Sequence, residues 1–110
     1  MRHLNSLLYY LLPERHYLMR DNQIWALVVI RKIGRDRDGR QLIDRTTFRC
    51  GQRLTANGQF WVPKGRRGTL QRIHRHGENG RHQDVLEIRW DGYDQPVFMT
   101  LSEVDWPDPN

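Results

Sequence analysis

The sequence predicts a mainly β chain, with a small barrel in the C-terminal half preceded by an N-terminal helix and a β-hairpin. Two observations carry the barrel. From Phe48 onward, Gly51, Asn57-Gly58, Gly65, Gly68, Gly77, Gly80 and Gly92 cut the chain into short segments: QRLTA, QFWVP, GTLQRI, DVLEIRW and PVFMTL. Short segments between turn residues, with no helical period, mark a barrel or sandwich. Within DVLEIRW, Leu86, Ile88 and Trp90 alternate with Val85, Glu87 and Arg89, the period of a strand with one buried face.

Taken in order, Leu4, Leu7, Leu8 and Leu11 fall at helical spacing and Pro13 supplies a stop, so residues 1–20 read as a terminal helix. About ten residues make a marginal helix alone. The alternative is a disordered extension, with Met19 as the natural start. Residues 21–47 read as a hairpin. Ile24 to Ile33 is apolar on both alternating faces, as a buried strand requires. Asp38-Gly39 marks the turn, and Gln41 to Phe48 returns as the partner. Residues 48–106 form the barrel. Leu86, Ile88 and Trp90 face its core, Val97, Met99 and Leu101 point one way while Phe98 and Thr100 point the other, LSEVDW makes one short helical turn, and Val104 closes an end. Residues 107–110 are a tail.

The chain has 110 residues and a net charge of +5, room for one modest core. Sixteen of its 18 basic residues are Arg, a planar fork suited to phosphates, carboxylates and aromatic faces. The charge is polarised. Residues 46–83 carry eight basic side chains against Glu78 alone, whereas residues 84–110 carry seven acidic ones against Arg89. This predicts a basic face and an acidic face. Cys50 is the one cysteine, so no intrachain disulfide forms. The apolar run Leu4–Leu12 is far shorter than the ~20 residues that span a bilayer, and Pro13-Glu14-Arg15-His16 is not a signal-cleavage site. The expectation is a cytoplasmic protein with no membrane contact.

Gly51-Gln52-Arg53-Leu54, the run Gly65 to Ile73, Trp90-Asp91-Gly92 and Leu101-Ser102-Glu103-Val104 together resemble the SH3-like small barrel. Gly65 to Ile73 is also similar to the KOW pattern of a glycine followed by an apolar strand. The resemblance covers about the last 60 residues and implies a closed barrel. Such barrels serve RNA binding, DNA binding, peptide binding and purely structural roles, so it leaves function open.

The candidate site is the basic hairpin. Lys64, Arg66 and Arg67 in PKGRRG, with Arg72 and Arg75 beyond, offer cationic forks and exposed backbone N–H groups to phosphates. Phe60 or Trp61 beside them offers a face on which a base stacks. The expected function is non-catalytic binding of nucleic acid with low sequence specificity. The alternative is a protein-interaction module or accessory subunit docking through its bipolar charge. His74, His76 and His82, with Cys50 remote from them, match no zinc spacing. Asp36, Asp38 and Arg40 fail as a calcium loop. No nucleophile-elbow, phosphate-loop or dinucleotide signature is present. The sequence therefore predicts no enzyme activity, no cofactor, no metal and no small-molecule substrate.

Overall fold

In a computed structural model, the structure describes residues 14–75 and 83–107. The expected helix at Leu4–Leu12 lies outside them, as do His76 and His82. The described chain is two antiparallel sheets: β1 (Glu14–Arg20), β2 (Gln23–Arg35) and β3 (Gln41–Arg49) form the first, in that order. β4 (Arg53–Ala56), β5 (Arg67–His74), β6 (Val85–Trp90), β7 (Val97–Thr100) and β8 (Val104–Asp105) form the second, ordered β7-β6-β5-β4-β8.

The described residues contain no α-helix, and residues 14–20, assigned to a helix or extension, are a strand instead. Asp21 and Asn22 both adopt positive φ (51° and 62°) and close a two-residue turn between Arg20 and Gln23. Asp and Asn tolerate this conformation, and its twist suits a hairpin, so the chain enters β2 already paired.

The barrel does not close. β7 runs into a 3₁₀ turn, Leu101–Glu103, before β8 pairs with β4, so the sheet ends are joined by a turn and not by a ladder. The Glu103 carboxylate accepts the Thr100 backbone N–H at 2.8 Å and its hydroxyl at 2.9 Å, which ends β7 at that residue. The expected short helical turn in LSEVDW is this one. The segment QFWVP is a bend, not a strand: both sides of β4 are occupied, by β5 and β8, and Pro63 lacks an N–H to offer. The expected boundary between residues 47 and 48 falls inside β3.

One core fills the space between the sheets. Leu27, Val29 and Phe48 from the first meet Leu54, Leu70, Leu86, Ile88, Trp90 and Met99 from the second. Val85, expected to face solvent, is also buried. Burying side chains of this size contributes about 1.5–3 kcal/mol each. Polar ties lock the sheets together. The buried carboxylate of Asp84, just before β6, accepts Arg15 Nε at 2.6 Å and the Tyr17 hydroxyl at 2.5 Å, both from β1. Trp106 sets its ring edge-on to Phe48 and carries the Arg31 guanidinium 4.1 Å over its face. Past Ile30 the β2–β3 hairpin leaves this core, and Ile33, Leu42 and Ile43 are exposed. The strand read as buried through Ile33 is therefore buried only in its first two-thirds.

Candidate functional site

The basic hairpin is built from the β4–β5 connection. Ala56 and Arg66 hold its base: Gly65 N–H donates to the Ala56 carbonyl and Ala56 N–H to the Arg66 carbonyl, each at 2.9 Å. At its tip Arg66 N–H donates to the Pro63 carbonyl at 3.1 Å, and Gly65 takes φ of +90°. This is a turn whose third residue must accept positive φ, hence glycine. Asn57 ties the other limb to the 3₁₀ turn, donating to the Ser102 carbonyl at 2.6 Å.

Phe60, Trp61 and Val62 alternate across this loop. Val62 is buried and Phe60 half-buried against the core, so Trp61 is turned outward and stands 89% exposed. It does not stand alone: its ring lies on that of Phe60, centroids 5.3 Å apart and planes 7° apart. The outer face of Trp61 is open to solvent. Of the two aromatics offered as a stacking platform, Trp61 has the available face and Phe60 its support.

The cations divide into two groups. Lys64, Arg66 and Arg67 sit at the turn end of β5. Arg67 donates to the Thr55 hydroxyl at 2.6 Å, while Arg66 donates to the Asp91 carbonyl at 3.0 Å and lies 5.7 Å over the Tyr93 ring. Arg72 and Arg75 are at the other end of the strand. Five residue steps of β5 separate Arg67 from Arg72, so at about 3.3 Å per step the nearest members of the two groups are roughly 16 Å apart. The five cations therefore do not form one contact point.

Two residues that sequence reasoning passed over shape the turn end. Arg53 donates with both terminal nitrogens to Asp91, at 2.9 and 2.5 Å, and also to the Thr69 hydroxyl at 3.1 Å. The hydrogen bond from Arg53 holds the Asp91 carboxyl below the usual carboxylate range, helped by the charges of Arg53, Arg67 and Arg66 and opposed by desolvation. The same bond raises the Arg53 guanidinium further. Asp91 is thus an anion among three arginines. Cross-strand pairing also puts Arg89 beside Thr69, adding an exposed cation to the face.

His74 Nε2 is 3.2 Å from Glu87 Oε1 across the β5–β6 pair, and no group of metal ligands exists among the described residues. Cys50 is half-buried, donates weakly to the Ile24 carbonyl at 3.5 Å, and burial raises its thiol above the ordinary value.

No protein-family model, curated protein or solved structure matches this chain. Among the described residues no helix is long and apolar enough to cross a membrane.

Proposed function

We propose that the protein binds single-stranded nucleic acid without catalysing a reaction and with little sequence preference. The observation that carries this reading is Trp61, a nearly fully exposed indole backed by Phe60 and adjoining a turn that bears Lys64, Arg66 and Arg67. Leaving an indole in water forgoes the burial that usually fixes tryptophan in a core. A base stacked on it recovers that area, and flanking cations take the phosphates on either side. Every base has a π-face, so such a platform tolerates sequence. Arg72 and Arg75, at the far end of β5, lengthen the cationic track. A cytoplasmic location accords with a chain whose single cysteine cannot form an intrachain disulfide.

The test is fluorescence anisotropy with labelled 12-nucleotide single strands and matched duplexes in low salt. Micromolar binding is expected, stronger for the single strand, and weakening with salt at a log–log slope of about −2 for three phosphate contacts. Trp61→Ala lowers affinity about 5- to 150-fold, the equivalent of 1–3 kcal/mol of stacking. Absence of binding to either probe refutes the reading. The rival reading, a protein-docking module, draws on the exposed Ile33, Leu42 and Ile43 of the β2–β3 arm. It predicts that a partner co-purifies and that binding survives high salt.

A further inference from the structure

A cleft of about 440 Å³ opens between the sheets, walled by the Asp21–Asn22 turn with Trp25 on one side and by Gln71 to Arg75 on the other. This volume lies within the roughly 300–1,000 Å³ of small-ligand sites. Its rim is cationic: Arg20, Arg72 and Arg75 line it, with Asp21 as the one carboxylate among its lining residues.

The strand geometry brings these groups together for an identifiable reason. Leu70 pairs with Ile88 and Arg72 with Glu87, so Gln71 is an extra residue in β5. The bulge interrupts the alternation, and Gln71 and Arg72 are both exposed while Ile73 returns to the core. Bulges re-aim side chains in this way beside binding sites. Without it, Arg72 would follow Leu70 inward. Arg72 makes no hydrogen bond or ion pair among the described residues. The Arg20 guanidinium lies 4.9 Å over Trp25, and that of Arg75 4.9 Å over Tyr17. For Arg20 such stacking engages the flat face of the fork, and its in-plane N–H groups suit an oxyanion.

We propose that this cleft is a second nucleotide subsite, which holds the phosphate of a nucleotide on Arg20 and Arg72, with Arg75 at the rim. The inference rests on the reading of Trp61 as a stacking platform in one respect only: the same strand reaches both. The span of roughly 16 Å along β5 from Arg67 to Arg72, with the base on Trp61 beyond it, then requires about four nucleotides, the lower end of single-strand site sizes. Shorter strands occupy one subsite at a time.

Titration calorimetry with oligothymidylates of three and eight nucleotides, and with thymidine monophosphate, tests this. Four proteins are compared: the unmodified chain, Arg20→Gln/Arg72→Gln, Trp61→Ala and the combined variant. The unmodified protein is expected to bind the longer strand at least about tenfold more tightly than the shorter. The double arginine variant, altered only at exposed positions, should melt normally and lose that difference. Thymidine monophosphate that binds the unmodified protein but not the arginine variant would also support the cleft, with a free nucleotide as its ligand. An arginine variant that keeps the full length dependence and the same mononucleotide affinity overturns the proposal, as does an unmodified protein showing neither. The platform fails separately, if Trp61→Ala leaves every affinity unchanged.

Discussion

Arg53 reaches over β5 to hold Asp91 with both terminal guanidinium nitrogens, so a residue of β4 grips the end of β6 across the strand between them. Both side chains are about half exposed, and such a pair adds little to stability. Its larger consequence is electrostatic: it places a carboxylate amid Arg53, Arg66 and Arg67, on the face read as cationic.

Asp91→Asn is therefore expected to tighten binding of a single strand by about two- to fivefold, the scale of one exposed charge interaction. The salt slope should steepen as Arg53 becomes available. Stability follows the opposite course. Because the folded-state value of the Asp91 carboxyl is lowered, its contribution is complete above the ordinary carboxylate range and is lost as pH falls through and below it. Thermal melts of the Asp91→Asn protein should accordingly lose less on acidification than those of the unmodified chain. A weaker binder in anisotropy would contradict the placement of Asp91 beside the phosphate track.

Gly68 faces Trp90 across the β5–β6 pair, and a Cβ there would lie 2.6 Å from one indole carbon and 2.9 Å from the Arg89 carbonyl oxygen. Trp90 is fully buried, its indole N–H donating to Met99 Sδ at 3.1 Å, so the ring has no room to withdraw. Gly68→Ala should destabilise the protein by about 1–3 kcal/mol through overpacking. Gly65 meets nothing within 4 Å, yet its φ of +90° makes Gly65→Ala costly for a different reason, backbone strain. Urea titration of both variants measures this, and an unchanged midpoint for Gly68→Ala would refute the close contact.

These residues also show how far the sequence reached. The alternation of Leu86, Ile88 and Trp90 located β6 and its buried face, because a two-residue period needs only local information. Strand β1 went unread because HYLMR lacks β-branched residues and follows a leucine stripe. Its signal was Asp21-Asn22, a pair tolerant of positive φ between two apolar runs. Barrel closure depended on whether β7 and β8 pair, which the Glu103 bonds to Thr100 decide and no periodicity records. The exposed indole was legible only as one of two adjacent aromatics, since Val62 had to be buried before Trp61 was forced out. Arg53 and Asp91 lie 38 positions apart, so their pairing had no local trace.

Cys50 carries a thiol raised by burial, so less thiolate is present at neutral pH than for an exposed cysteine. Its reaction with a disulfide reagent at pH 7.5 should be several-fold slower than that of the same chain in urea, and should accelerate as pH rises. Equal rates in the folded and unfolded chain would mean that β2 and the β3–β4 turn do not cover the sulfur.

The β2–β3 hairpin provides the sharpest check on where the core ends. Leu27 and Ile43 are both aliphatic residues of the first sheet, but Leu27 is wholly buried and Ile43 is 56% exposed. Leu27→Ala removes side-chain volume from the space between the sheets and should cost about 2–5 kcal/mol. Ile43→Asp, normally ruinous in a strand core, should shift stability by no more than about 0.5 kcal/mol, because the aspartate stays in water beside Lys32, its cross-strand neighbour. If urea titrations show Ile43→Asp to be as damaging as Leu27→Ala, the distal hairpin is covered and the three-stranded sheet buries more than its first two-thirds. If the two separate as stated, the arm is free of the core, and Ile43→Asp becomes a clean probe of the docking alternative, since it alters an exposed apolar surface while leaving the nucleic-acid face intact.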